Sequence, residues 1–167
     1  MTESNEIIQL ASKVLEICRE NGLTIATAES CTGGLIAGAL TEIAGSSDVF
    51  DRGYVTYSNN AKYEMLGVPL EITNGPPGAV SNLVASKMVE GALVNSGASL
   101  AVAVTGIAGP GGGTTEKPVG LVYVAVMRKG HTAEVQECKF GDIGRDIIRQ
   151  QTVITALEML LVAANRA

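Results

Sequence analysis

The chain has 167 residues, of which 46% are hydrophobic and 17% are charged. This length and composition fit one packed domain over residues 1–167 and exclude the disordered and coiled-coil classes. The net charge is −5, aromatic residues make up 4%, and there is no Trp. Because phosphate backbones attract basic proteins and bases stack on aromatic rings, we expect no affinity for nucleic acid or for an anionic membrane.

The cysteine and histidine content indicates neither a metal centre nor a disulfide framework. Cys18, Cys31 and Cys138 are widely spaced, and His131 is the only histidine in the sequence. The N-terminus is polar and acidic, unlike a signal peptide, and no apolar run is long enough to cross a bilayer. We therefore expect a reduced, cytoplasmic protein that uses no metal.

Hydrophobic periodicity predicts alternating helices and strands along the chain. The main helices are predicted at 5–20, 32–44, 79–96 and 142–165, with a short helix that Asn59 or Asn60 caps and that ends at Leu66. The strands are predicted at 23–28, 50–58, 100–104, 119–127 and 132–140, and residues 68–78 are predicted to be a loop.

The connection between the last two predicted strands decides the fold class. Only residues 128–131 separate them, which is too short for a parallel crossover, so this pair forms an antiparallel hairpin. Helices lie before, between and after the other strands. The pattern predicts a three-layer α/β/α sandwich on a mixed five-stranded sheet.

Reactive side chains follow three of the predicted strands. Ser30 follows the first, Tyr57 and Lys62 follow the second, and Thr105 and Gly106 follow the third. Ligands of parallel α/β proteins collect at the carboxyl ends of the strands. If these strands are neighbours, their ends share one cleft. The glycine-rich loop at 106–113 also lies there, but it lacks the Lys-Ser/Thr ending of a P-loop.

A nucleophilic serine needs a base, and the candidates here are few. His131 lies in the hairpin turn at the opposite end of the sheet, so a Ser–His–Asp triad is hard to build. Lys62 is the remaining base. Its pKa must fall from about 10.4 by burial or by cationic neighbours, and a nearby helix start favours that direction. Tyr57 would relay the proton or hold Lys62 in place.

Simpler interpretations of the same residues stay open from the sequence alone. Position alone favours Ser30 as a cap of the next helix, and Glu29 is suited to cap or orient it. Taken in isolation, Lys62 is typical of a solvated surface lysine and Tyr57 of an ordinary strand residue.

Cys31 is either a nucleophile whose pKa a helix start lowers or a small buried residue. Arg145 and Arg149, one helical turn apart, either hold a phosphate or form a solvated face.

Four segments resemble one known family. Thr27-Ala-Glu-Ser-Cys-Thr-Gly-Gly34, Gly53-Tyr-Val-Thr-Tyr-Ser-Asn-Asn-Ala-Lys62, Ala103-Val-Thr-Gly-Ile-Ala-Gly-Pro110 and Lys117-Pro-Val-Gly120 resemble the CinA C-terminal family, which includes stand-alone nicotinamide-nucleotide amidohydrolases. The resemblance covers nearly the whole chain. It implies an anticodon-binding-domain-like α/β/α sandwich with a five-stranded mixed sheet.

The resemblance also implies an activity, which is hydrolysis of nicotinamide mononucleotide to nicotinate mononucleotide and ammonia without a cofactor. The family's catalytic Ser, Lys and Tyr match Ser30, Lys62 and Tyr57. The residues expected to bind substrate are Thr32, Gly33, Gly34, Thr105, Gly106 and Arg145. The backbone amides of Ser30 and of Gly33 and Gly34 are expected to receive the oxyanion.

Two other functions and an oligomeric state are also considered. A non-catalytic module that binds a nucleotide or a protein, linked to competence or DNA damage, would use Ser30 only as a cap. A Ser/Lys peptidase or other amidase is a weaker third hypothesis. The last helix is apolar on more than one side, at 157 and 159–162, which is typical of a surface that a second copy covers in a homodimer.

Overall fold

A computed structural model describes residues 2–166 and contains six α-helices and five strands in that range. The helices are α1 (Glu3–Glu20), α2 (Leu35–Thr41), α3 (Asn59–Leu66), α4 (Leu70–Asn74), α5 (Asn82–Ser96) and α6 (Arg145–Ala164). The strands are β1 (Ile25–Glu29), β2 (Phe50–Val55), β3 (Leu100–Gly106), β4 (Leu121–Arg128) and β5 (Glu134–Lys139).

The five strands form one mixed sheet in the order β2-β1-β3-β4-β5. β1 pairs in parallel with both β2 and β3, whereas β4 pairs antiparallel with β3 and with β5. Helices cover both faces, which confirms the predicted three-layer α/β/α sandwich. Because β2, β1 and β3 are parallel neighbours, their carboxyl ends meet at one edge of the sheet.

The two faces of the sheet differ in side-chain size. One face carries branched residues such as Val102, Val104 and Val124 and packs in one core with α1, α2 and α6. The opposite face is mostly alanine on β1, β3 and β4 and packs against α5. Because these side chains are short, α5 packs close to the sheet. Gly91 on α5 meets the end of α3, where an added Cβ would lie 2.0 Å from the carbonyl oxygen of Leu66.

The helix α2 begins at Leu35, three residues after the predicted start. Gly33 and Gly34 have φ angles of 57° and 105°, which belong to a left-handed turn rather than to a right-handed helix. Glycine adopts these angles without the Cβ clash that other residues suffer. Residues 30–34 therefore form a turn between β1 and α2, and the predicted helix 32–44 is wrong at both ends.

The chain after β2 also departs from the predicted boundaries. The strand ends at Val55, and Ser58 caps α3 by accepting a hydrogen bond from the Ala61 amide at 3.0 Å, so the predicted Asn59 or Asn60 cap is wrong. The short helix α4 lies within residues 68–78, predicted to be a loop. A sequence of 5 helical residues after a proline is too short to show a helical period.

Within residues 2–166, α6 is the one helix whose length and apolar composition alone would allow it to cross a membrane. The sequence expectation that no such run exists is therefore corrected. Residues buried in the core, such as Ile148, Leu157 and Leu160, identify α6 as a core helix. Of the apolar residues considered for a homodimer surface, Val162 is 56% exposed, and Met159 and Leu161 pack partly against the core.

Candidate active site

Ser30 is the first residue after β1 and is held on both sides by backbone hydrogen bonds. Its amide donates to the carbonyl oxygen of Val104 on β3 at 3.1 Å, and its carbonyl accepts from the Gly33 amide at 3.1 Å. The side chain is buried. Its Oγ lies 2.9 Å from the Nζ of Lys62, which comes from α3. Two adjacent strand ends thus bring a hydroxyl and an amine into contact.

Glu29, not Ser30, satisfies the free amides at the start of α2. The Glu29 Oε1 accepts hydrogen bonds from the Thr32 hydroxyl at 2.6 Å and the Ile36 amide at 2.8 Å. Its Oε2 accepts from the Ala37 amide at 3.0 Å. A carboxylate at this position both replaces a capping side chain and lies favourably in the field of the helix dipole. The Ser30 hydroxyl is therefore not needed as a cap.

Lys62 lies in the first turns of α3 and is 1% exposed. Besides Ser30, its Nζ contacts the carbonyl oxygens of Thr56 at 2.9 Å and Tyr57 at 3.3 Å. A neutral amine has two hydrogens and one lone pair. The two carbonyls accept both hydrogens, which leaves the lone pair for the Ser30 hydroxyl. The three oxygens around Nζ therefore match the three hydrogens of an ammonium, and they match equally a neutral amine whose lone pair faces the Ser30 hydroxyl.

Burial lowers the pKa of the Lys62 ammonium to about 8, and the neighbouring Cys31 opposes that shift weakly. The main cause is desolvation, because no carboxylate in the described chain forms an ion pair with this lysine. Burial, cationic neighbours and a helix start are the three causes that the sequence predicts for a lowered pKa of Lys62. Burial acts here, and an amine with this pKa is partly neutral near physiological pH.

The pKa of the Cys31 thiol, beside Ser30, shifts in the direction opposite to that of Lys62. Burial raises the pKa of this thiol to about 11, so the thiol stays protonated at neutral pH. The expectation that a helix start lowers this pKa is wrong, because α2 begins four residues later and Cys31 is buried in the core. A protonated, buried thiol is a poor nucleophile, and Cys31 packs as a small apolar side chain.

Two arginines on the first turns of α6 have different surroundings. The Arg145 guanidinium donates to the Tyr57 hydroxyl at 3.0 Å and to the Gly109 carbonyl oxygen at 2.7 Å, at the mouth of the cleft. Arg149 instead donates to the carbonyl oxygens of Cys31 at 3.1 Å and Thr32 at 3.2 Å. Arg149 therefore braces the turn that carries Ser30, and Arg145 alone of the two lies in the cleft.

Tyr57 lies at the rim of the cleft, and its side chain is mostly exposed. Its hydroxyl contacts Arg145, whereas its contact with Lys62 is made by the backbone carbonyl oxygen. The side chain therefore faces the cleft mouth, where an aromatic ring and a guanidinium lie together.

The cleft has a volume of about 280 Å³ and contains both reactive groups. Its lining residues come from the ends of β1 and β3, from α3, from the glycine-rich loop and from α6: Ser30, Cys31, Tyr57, Asn59, Lys62, Ala79, Val80, Thr105, Gly106, Ile107, Ala108, Gly109, Gly111, Gly112 and Arg145. Larger grooves of about 610 and 680 Å³ lie beside β5 and behind the glycine loop, but neither is lined by Ser30 or Lys62. Chemistry, not size, identifies the smaller cleft as the site.

Three predicted substrate-binding residues do not line this cleft. The Thr32 hydroxyl donates to Glu29, as described above. A Cβ added at Gly33 would face the Arg149 guanidinium, and one added at Gly34 would face Val55. These glycines permit the tight turn after Ser30.

Thr105 and Gly106, at the end of β3, do line the cleft. The Thr105 hydroxyl donates to the Ala79 carbonyl oxygen at 2.8 Å and so holds the opposite wall. A Cβ on Gly106 would lie 2.6 Å from the Val122 side chain on β4, so packing against β4 requires glycine here.

Asn59 lines the cleft as well and is absent from the predicted set. The spacing between Asn59 and Lys62 is the feature of the sequence that could have predicted this position. Asn59 is three residues before Lys62 on α3, and residues three apart share a helix face.

Within residues 2–166 no group of three or more His, Cys, Asp or Glu side chains could hold a metal ion.

Comparison with known proteins identifies the family of this chain. The CinA C-terminal domain family model matches residues 7–163. The nicotinamide-nucleotide amidohydrolase PncC of Escherichia coli (strain K12) is 48% identical over 161 residues, which cover 96% of this chain and 95% of that protein. A CinA-like protein of Citrifermentans bemidjiense is 50% identical over 153 residues, or 91% of this chain.

The chain spans 35–37% of the length of several curated relatives, including that CinA-like protein, but nearly the whole length of PncC. Among solved structures, the competence/damage inducible protein CihA from Agrobacterium tumefaciens matches with a TM-score of 0.93 and 56% identity over 96% of both chains. The predicted resemblance is therefore confirmed, and the chain belongs to the CinA C-terminal domain family.

Proposed function

We propose that this chain is an amidohydrolase that converts nicotinamide mononucleotide into nicotinate mononucleotide and ammonia. The observation that carries the proposal is the 2.9 Å contact between the Ser30 hydroxyl and the buried Lys62 amine. The similarity to PncC, a nicotinamide-nucleotide amidohydrolase that matches over nearly its full length, supports the choice of substrate.

In the first half of the proposed reaction, Ser30 becomes acylated. The neutral Lys62 accepts the Ser30 proton while Oγ attacks the carboxamide carbon and forms a tetrahedral oxyanion. The intermediate collapses by breaking the bond between carbon and nitrogen. Lys62 returns the proton to the departing nitrogen, so ammonia leaves and an ester to Ser30 remains.

In the second half, water hydrolyses that ester. Lys62 accepts a proton from the attacking water, and a second tetrahedral oxyanion forms. The bond from carbon to Ser30 Oγ then breaks, and Lys62 gives its proton to Oγ, which restores the Ser30 hydroxyl. The net change is one amide and one water converted into one acid and one ammonia. A base with a pKa near 8 suits both transfers, because it gains and loses a proton readily at neutral pH.

We propose the Cys31 amide as a donor to the oxyanion. The Ser30 amide already donates to Val104, whereas the Cys31 amide has no acceptor among the hydrogen bonds of the described residues. Cys31 also lines the cleft. One such donor contributes about 3–4 kcal/mol in known enzymes. Among the amides predicted for this role from the sequence, that of Ser30 is already bonded to Val104, and those of Gly33 and Gly34 belong to residues outside the cleft lining.

The phosphate and ribose of the substrate are proposed to lie at the cleft mouth. Arg145 is the guanidinium there, and Gly109, Gly111 and Gly112 line the cleft, so their amides would offer additional donors. The exposed Tyr57 ring is placed to lie against the cationic pyridine ring of the nucleotide. Thr105 and Gly106 form the wall of the cleft beneath the loop.

The direct test is ammonia release from nicotinamide mononucleotide by the wild-type protein and by Ser30→Ala and Lys62→Ala. We expect each substitution to lower the rate about 10³-fold or more. The exposed Ser47→Ala and Lys13→Ala are matched controls and should keep the wild-type rate. Full ammonia release by Ser30→Ala would overturn the mechanism, and calorimetric binding without turnover in the wild type would favour the non-catalytic binding module.

The cellular setting of this activity follows from the same proposal. The three cysteines are free and buried, as expected for a protein of the reducing cytoplasm, where we place the enzyme. The homodimer remains a prediction, which size-exclusion chromatography with light scattering tests.

A further inference from the structure

Asn59 is the first residue of α3, and it lines the cleft on the same helix face as Lys62. Ser58 caps the helix, so the Asn59 side chain is not needed for that purpose. A carboxamide side chain one helical turn from the base is close to the atoms that react, and the mechanism above gives it no role.

The orientation of the Asn59 amide is fixed by α4. The Nδ2 donates to the Asn74 Oδ1 at 2.9 Å and to the Thr73 carbonyl oxygen at 3.4 Å. These contacts use both hydrogens of the amide. Turning the amide over would place Oδ1 against the Thr73 carbonyl, and two acceptors facing each other repel. The Oδ1 receives no hydrogen bond from any described residue, which leaves it as an acceptor for a ligand.

The substrate and the product of the proposed reaction differ in what they offer such an acceptor. The carboxamide of the substrate has two N–H donors, whereas the carboxylate of the product has none. An acceptor in the cleft can therefore accept a hydrogen bond from the carboxamide NH₂ of the substrate, whereas it forms no hydrogen bond with the carboxylate of the product. A site that pairs a donor discriminates against an analogue without one, because the carboxylate of the acid offers only acceptors to the Asn59 Oδ1, and two acceptors repel.

We propose that Asn59 is a specificity residue whose Oδ1 accepts a hydrogen bond from the carboxamide NH₂ of the substrate. This contact turns the carboxamide carbon toward Ser30, favours the amide over the acid and so assists product release. The inference rests on the proposed function and adds the group that distinguishes substrate from product.

The test measures by calorimetry the dissociation constants of nicotinamide mononucleotide and nicotinate mononucleotide. Binding is measured in a Ser30→Ala background, where the amide is not consumed. Adding Asn59→Ala removes the acceptor, and we expect the preference for the amide over the acid to fall about tenfold, as for one hydrogen bond. Adding Asn59→Asp loses the Nδ2 contacts with α4, as Asn59→Ala does, but keeps an acceptor and adds a negative charge that repels the acid, so the preference should rise.

The neighbouring Asn60→Ala is the matched control, because Asn60 is exposed on the same helix and does not line the cleft. It should keep the wild-type preference. Asp is favourable in the first turn of a helix, so Asn59→Asp tests the proposal even if Asn59→Ala is unstable. A purely structural role would shift both Asn59 variants in the same direction, and that result, or an unchanged preference, would overturn the inference.

The outcome also separates this inference from the proposed function. If the proposed function fails, the wild type releases no ammonia from the mononucleotide, and the specificity role falls with it. If only the inference fails, the wild type releases ammonia while the preference for amide over acid is unchanged in both Asn59 variants.

Discussion

Glu29 and Lys62 are both 1% exposed and belong to neighbouring elements at the same edge of the sheet, yet their surroundings differ. The Glu29 carboxylate accepts three hydrogen bonds, two of them from backbone amides of α2. The Lys62 amine contacts only neutral oxygens, two carbonyls and one hydroxyl. Neither residue forms an ion pair within residues 2–166.

This difference separates a structural role from a chemical one. Donors that converge on both oxygens of a carboxylate stabilise it and fix the start of α2, and with it the turn that carries Ser30. The two carbonyl oxygens beside Lys62 can accept hydrogen bonds from its amine, but they carry no negative charge that would hold the amine in its protonated form. One buried polar group therefore holds the geometry, while the other can gain and lose a proton, as the proposed mechanism requires.

Replacing the base should give the largest effect. Lys62→Met keeps the length of the side chain but removes the amine, so we expect ammonia release to fall about 10³-fold. The melting temperature should not fall, because an apolar side chain avoids the cost of burying an amine. Steady-state rates and thermal unfolding measure the two effects, with Lys13→Met as the exposed control. A variant that loses stability and keeps activity would reverse the roles assigned to the two residues.

Lowering the pH should give the next largest effect. Burial lowers the pKa of Lys62 to about 8, and the protonated amine cannot accept the Ser30 proton. We expect kcat/KM to fall roughly 50-fold between pH 8 and pH 6, because half of the amine is already protonated at pH 8, and the fall approaches tenfold for each pH unit well below 8. A profile that stays flat down to pH 6 would contradict the role of Lys62 as the base.

The same pKa affects stability in a defined direction. The Lys62 pKa lies near 10.5 in the unfolded chain and near 8 in the folded one. Between these values the unfolded chain holds a proton that the folded chain has lost, so the free energy of unfolding rises with pH from 8 to 10.5. Chemical denaturation across this range should show the rise in the wild type and lose it in Lys62→Met.

Replacing the structural carboxylate should mainly affect folding. Glu29→Gln replaces one of the two acceptor oxygens by an NH₂ group, which then faces the Ala37 amide while the remaining oxygen keeps the contacts with Thr32 and Ile36. Two donors that face each other leave buried groups unsatisfied. We expect a loss of about 2 kcal/mol in the free energy of unfolding, or roughly 4–8 °C in melting temperature. Glu42→Gln, exposed at the other end of α2, is the control. An unchanged melting temperature would show that Glu29 does not stabilise α2.

The Tyr57 hydroxyl should matter least. Tyr57→Phe removes the acceptor for Arg145 but keeps the ring and the carbonyl that contacts Lys62. We expect KM to rise about 2- to 10-fold, as for one lost hydrogen bond, with little change in kcat. If kcat instead falls more than tenfold, the hydroxyl takes part in proton transfer, which was the alternative role predicted from the sequence.

The sheet and the position of the site were predictable because they depend on local patterns. The apolar run at 100–104 predicts a central strand, and the four residues between the last two strands require a hairpin. Once β1, β2 and β3 are parallel neighbours, Ser30 and Lys62 must follow strands that end side by side. Their proximity was therefore a consequence of topology, and the resemblance supported it.

The details that the sequence did not predict depend on contacts between distant segments. The partner that orients Asn59 lies on α4, which has no helical period because it is so short. Glu29 as the cap of α2 was one of several alternatives, because the capped amides lie seven and eight residues away, beyond a turn set by Gly33 and Gly34. Such contacts follow from the folded backbone and have no fixed spacing.

The carbonyl groups that orient Lys62 belong to the main chain of Thr56 and Tyr57, and this has an evolutionary consequence. No amino-acid substitution removes a carbonyl oxygen, so mutations at these two positions change the side chains and leave the acceptors of the base in place. The exposed side chain of residue 57 is thus free to diversify toward other nucleotides or amides while the proton-accepting amine stays oriented. New substrate preferences would then arise at the rim of the cleft without rebuilding the chemistry beneath it.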